Sequence, residues 1–331
     1  MPPGQKAGHG AAEGSGLDWG RYVAELVVVQ GSLAAVAEAL AASRGHKESV
    51  ESIARALRRL RQKGHDAGGV WGQRCLKRFG LPGSVASRIR WMGQYHSRFT
   101  DLPAEICAEL LRPWDRPPVS ESRAWVWVAL GWTSLALRRR DREAARVHLG
   151  AALALGPRAG ATAAAECGLV AAFIDGPHAV GPHLDRVAHL LDDPSISAHD
   201  RACLHARLVD QQAYPLNRPE KGGAPNHEAA LRLYESLPDD APPFARCRKA
   251  NGMAWTLHKL GRREAAVHWA RRSVQDAGDA GSLRMRAMAL NALAALQPPH
   301  EAQQTRRRRD QIHSYLRGSG SPISDFPGSD G

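Results

Sequence analysis

The sequence predicts an all-α protein in two helical parts, and three observations carry that reading. Apolar residues recur at three- and four-residue steps along nearly the whole chain, and no alternating run reads as a strand. Ala, Leu and Arg, all good helix formers, dominate, while Val and Ile are sparse. The stretch "RPWDRPPVSES" breaks the pattern with three prolines, which stop one helix, and offers Ser120 or Ser122 to cap the next. The chain of 331 residues therefore divides near residue 117. Residues 1–16 read as a disordered start and 17–116 as a helical bundle. Residues 117–317 read as a stack of helix pairs, and 318–331 as a disordered tail.

Composition narrows the class of partner more than the activity. A formal charge of +12 favours acidic partners, nucleic acid first, although an Arg- and Ala-rich composition makes basic proteins in bulk. The five cysteines are widely spaced, odd in number and without a C-x-x-C, which suits buried thiols in a reduced interior and not a disulfide framework or a zinc site. The start, "MPPGQKAGHGAAEGSG", has no apolar core of a signal peptide. The longest apolar run, "AWVWVALGW", is too short to span a membrane. The expectation is a cytoplasmic protein that touches no membrane.

In the first part, "LDWGRYVAELVVVQ" reads as a helix and "SLAAVAEALAA" as a second, capped by Ser32. "SRGHKE" makes a turn before "ESVESIARALRRLRQKG". At about 100° per residue, Val50, Ile53, Leu57 and Leu60 form one stripe. Glu48, Ser52, Arg55, Arg59 and Gln62 lie opposite, Glu51 and Arg58 flank them, and Arg61 snorkels from the stripe's edge. Arg44 to Lys63 holds seven basic and two acidic residues, a net charge of +5, equal to that of the whole stretch 1–80. Positive charge gathered on one turn and one helix is what phosphate contact needs. The other reading is a solvated outer face, favoured by Glu48 and Glu51 at the end where recognition helices meet bases, and by an i,i+4 pair between Glu51 and Arg55. Val36, Ala37 and Leu40, the turn, then Val50, Ile53, Leu57 and Leu60 resemble a helix-turn-helix, with a turn longer than usual. That resemblance implies double-stranded DNA contact through Arg44, Lys47, Arg55, Arg58 and Arg59. "WGQRCLKRFG" reads as a fourth helix capped by Asp66 in preference to a wing turned at Gly68 and Gly69. Trp71, Trp91 and Trp114 read as core anchors.

In the second part, "SRAWVWVALGWTSLALRRRDREAARVHLGAALALGP" resembles a tetratricopeptide repeat (TPR). Trp127, Leu130 and Gly131 match its first half. Ala145, Leu149 and Pro157 match the second, with Leu for the usual Phe, Ser134 for the usual Tyr, and about two extra residues between the helices. "KANGMAWTLHKLGRREAAVHWARRSV" is a second match, with Gly261 ending one helix and Ala266 and Ala270 lining the next. Three further pairs follow from spacing. Five pairs imply a short α-solenoid, stable only when stacked; the competing reading is a non-repeat bundle.

Nothing in the sequence marks an enzyme, a cofactor or a metal. None of the fifteen histidines falls in H-E-x-x-H or a comparable ligand spacing. His199, Asp200, Cys203, His205 and Asp210 crowd one segment, yet a buried thiol among surface histidines explains them better than a Cys–His nucleophile. "RRRRD" at Arg306–Asp310 reads as the polar outer face of a terminal helix. A groove is the better candidate. Gln211 (or Asp210), Asn251 and Asn291 recur on successive first helices, where amides can pair with a peptide backbone, and Arg207 and Arg248 stand one turn earlier to hold acidic groups. Solvent-facing residues of accidental spacing are the alternative. The domain order is similar to that of bacterial regulators in which such a solenoid controls a DNA-binding domain. The resemblance implies a peptide or protein partner in the groove, a homodimer on DNA and transcriptional control by population shift. The alternative is an interaction scaffold without DNA binding.

Overall fold

A computed structural model describes residues 17–42, 48–64, 68–176, 180–219 and 223–317. Among the described residues there are sixteen α-helices and no strand, so the chain is all-α. The expectations for 1–16 and 318–331 lie outside the described residues, as do those for Arg44, Lys47 and Asp66. No single helix among the described residues is long and apolar enough to cross a membrane. The chain divides into two compact units, Met1–Ile89 with Arg112–Trp125, and Arg90–Leu111 with Val126–Gly331. A single boundary near residue 117 therefore does not describe it: residues 90–111 belong with the later helices, to which their polar groups bond.

The first unit holds α1 (Trp19–Gln30), α2 (Leu33–Ala41), α3 (Val50–Lys63), α4 (Gly69–Phe79) and the start of α5 (Gly83–Gly93). Side-chain oxygens of Asp18, Ser32 and Ser49 cap α1, α2 and α3 by accepting from the backbone N–H three residues on. The apolar stripe of α3 is buried at Ile53, Leu57 and Leu60 against Tyr22, Val23, Val36 and Leu40. "WGQRCLKRFG" is helical as expected, but α4 begins after Gly68, in a left-handed conformation (φ 75°), with no side-chain cap. The Trp19 ring lies so close that a Cβ on Gly68 would come within 2.3 Å of it. Of the three tryptophans read as anchors, Trp114 is buried, Trp71 half-buried and Trp91 exposed, its edge against Phe99. Ser122 does not cap a helix through its side chain; its hydroxyl donates to the Val119 carbonyl.

The second unit contains α6 (Ala104–Leu111), α7 (Trp125–Arg138), α8 (Arg142–Ala159), α9 (Ala161–Asp175) and α10 (Val180–Leu191). It continues through α11 (Ala198–Asn217), α12 (His227–Glu235), α13 (Pro243–Lys259), α14 (Arg263–Asp279), α15 (Leu283–Leu296) and α16 (Pro299–Arg317). Neighbours in sequence pack together from α8 to α16, and α9, α11, α13 and α15 also pack in a row. Small residues set the spacing. Gly252 of α13 lies under the Tyr234 ring of α12, where a Cβ would come within 2.1 Å of it. Trp127, Leu130, Ala145, Leu149, Ala266 and Ala270 are all buried. Gly261 turns the chain after α13 with a positive φ of 74°. Pro157 lies inside α8 and does not end it, the helix running on to Ala159.

Candidate functional site

Two sites emerge, one in each unit. In the first unit, the buried stripe of α3 turns Arg55, Arg58 and Arg59 to solvent. None of the three has an ion-pair or hydrogen-bond partner among the described residues. The pair expected between Glu51 and Arg55 does not form. Glu48 instead meets Arg74 of α4, Nη1 to Oε1 at 3.1 Å, and that guanidinium lies 4.5 Å from the Trp71 ring centroid. Three unneutralised guanidinium groups along one helix face form a cationic surface, with Arg61 and Lys63 exposed beyond it.

In the second unit, the row α9–α11–α13–α15 holds a segment of its own chain, Gln94–Asp101. Glu166 of α9 is the anchor. It is fully buried in a mostly apolar helix, pairs with Arg207 of α11, and accepts from the backbone N–H of Tyr95 at 3.4 Å. Burial opposes its ionisation, but Arg207 and His96 outweigh burial and hold its carboxyl below the usual range. Asp200 of α11 accepts from Arg90 (2.5 Å), Gln94 (3.0 Å) and Ser197 (2.5 Å), and its Oδ1 lies 3.2 Å from His96 Nε2. Against the cost of burial, His96, Ser197 and Arg90 hold Asp200 ionised far below the ordinary carboxylate range.

Tyr95 sits among three guanidinium groups, Arg207 at 4.4 Å and Arg248 and Arg284 each at 5.3 Å from its ring centroid. Its hydroxyl accepts from Arg248 at 2.8 Å. Burial pushes the phenol up, yet Arg248, Arg284 and Arg207 together bring it below its ordinary value. Arg248 also pairs with Asp210, which accepts from the Tyr234 hydroxyl at 3.0 Å. Further along, Asp101 accepts from the Ser282 hydroxyl (3.3 Å) and from the Arg284 backbone N–H (2.9 Å) at the start of α15.

The residues proposed to hold a peptide are therefore placed as follows. Arg207, Asp210 and Arg248 engage the Gln94–Asp101 segment and its supports. Gln211 donates to the Leu169 carbonyl at 2.9 Å, and Asn291 accepts from Arg309 at 2.6 Å. Oδ1 of Asn251 is buried without a hydrogen-bond partner. Arg306, Arg307 and Arg308 are exposed on α16. Sequence reasoning missed Tyr95, His96 and Glu166, and singled out Asp200 only as one member of a crowded segment without a role. One signal pointed to Glu166: a lone carboxylate in "TAAAECGLVAAF" must find a partner wherever that helix is buried. Nothing local links His96 to α11, because the two are joined only by the packing of distant elements. Comparisons with protein-family models, with curated proteins and with solved structures find no match.

Proposed function

We propose that the chain is a cytoplasmic DNA-binding transcriptional regulator. Its first unit works as a helix-turn-helix-like bundle, and its second as a TPR-like solenoid that binds a peptide or protein partner. The observation that carries the reading is the face of α3, where Arg55, Arg58 and Arg59 are exposed without a partner among the described residues. Phosphate oxygens are the natural acceptors for such a row, and backbone contact fits it better than base reading, because Glu51 stands exposed in the first turn. The row of first helices already holds a turn and a short 3-10 helix of its own chain, Gln94–Asp101, which supports the solenoid as a surface for chain segments. A partner on it shifts the spacing of two DNA-binding units in a homodimer.

The test is binding to random-sequence duplex DNA across a salt series. Affinity should fall linearly on logarithmic axes, and Arg55→Ala with Arg59→Ala should reduce the slope by about 2. Absence of binding even at low salt would leave the second reading, an interaction scaffold, which the acidic first turn of α3 favours.

A further inference from the structure

We propose that His96, His199 and Cys203 form a site for one borderline-soft divalent metal ion of the zinc type. One ligand atom from each of the three side chains lies within 4.8 Å of the others. His199 and Cys203 stand one turn apart on α11 and so share a face. Nε2 of His199 is 3.8 Å from Sγ of Cys203. Zinc bonds of about 2.3 Å to sulfur and about 2.0–2.1 Å to nitrogen put tetrahedral ligand atoms roughly 3.6 Å apart, so the pair needs only a small adjustment.

The third ligand comes from the Gln94–Asp101 segment. The His96 side chain is only 6% exposed, and its ring lies 5.7 Å from that of His199. Asp200 holds Nε2, while Nδ1 is buried with no hydrogen-bond partner, 3.6 Å from Glu166 Oε1. A carboxylate behind a buried imidazole is how proteins orient histidine for a metal. Two imidazoles and a thiol suit zinc or a similar transition ion and not magnesium or calcium, which take oxygen ligands. As the metal bonds form, the Cys203 thiol proton and any proton on the ligating nitrogens of His96 and His199 leave to solvent, and the neutral imidazoles donate lone pairs. The carboxylates of Asp200 and Glu166 face the site and are matched by Arg90 and Arg207, so the thiolate and the ion add one net positive charge. Such an ion would tie Gln94–Asp101 to α11, independently of any DNA contact by the first unit.

The experiment is a titration of the reduced, full-length protein with Co2+, read by thiolate-to-cobalt charge-transfer absorption, then displacement by Zn2+. The band should saturate at a single equivalent and vanish in Cys203→Ser. His199→Ala changes an exposed side chain and keeps the core intact; it should weaken affinity at least about tenfold and reduce the rise in Tm that zinc gives the unaltered chain. No charge-transfer band, a band that survives Cys203→Ser, or equal affinity in His199→Ala would overturn the proposal. Should Cys203→Ser fail to fold, His199→Ala decides alone.

Discussion

Glu166 shows how one residue commits a helix to its neighbours. Its carboxylate and the Arg207 guanidinium are both buried, and each would be costly alone. Glu166→Leu should therefore cost about 3–5 kcal/mol by urea denaturation, and adding Arg207→Met should recover a large part of that loss. Gly93 is a steric case. A Cβ there would come within 2.3 Å of the Trp127 carbonyl oxygen, which is backbone and cannot rotate away. Gly93→Ala should cost about 1–3 kcal/mol in the same measurement. The amides on the row separate by their bonds. Asn291→Ala removes the acceptor of an Arg309 bond and should cost about 0.5–1.5 kcal/mol, whereas Asn251→Ala removes a buried oxygen that has no partner and should not destabilise. The thiols follow burial: all five cysteines are free and buried, and burial pushes Cys75, Cys167 and Cys203 up to about 12. A thiol reagent at about pH 8 should react with none of them quickly in the folded protein and with all five in denaturant.

Among the elements, α3 separates stability from binding. Its buried stripe and its Ser49 cap hold it in place, and its arginines contribute to neither. Ser49→Ala should cost about 1 kcal/mol of stability and leave the salt slope of DNA binding unchanged. Arg55→Ala with Arg59→Ala should do the reverse, staying within about 0.5 kcal/mol per site in stability. The stripe of α3 was legible because a helix has one period, and one face of it must be apolar to be buried. The Ser32 cap was legible for a similarly local reason: a short hydroxyl before a helix reaches its first free N–H groups. Trp91 was misread from its size and apolarity alone: the buried stripe of α5 runs through Val85, Ile89 and Met92, and Trp91 stands off it. Ser122 was misread because a hydroxyl can donate to a nearby carbonyl as readily as it caps.

For the whole molecule, the division into two units shows most clearly what is local and what is not. The all-α class and nearly every helix after residue 120 were readable from periodicity, helix formers and proline breaks, because these act over a few residues. The cationic face of α3 was readable for the same reason. What the row α9–α11–α13–α15 holds was not. The sequence marked Arg207, Asp210 and Arg248 as polar residues at regular steps. Only tertiary packing brought Tyr95 and His96 to them, and with these the Glu166 and Asp200 carboxylates. The sequence by itself determined which stretches coil and which face of each is apolar, since backbone geometry and side-chain spacing are properties of neighbours along the chain. The tertiary structure decided which buried charges meet and which chain segment they enclose, since a charge out of water takes whichever opposite charge packing brings within a few ångströms, however far away in sequence.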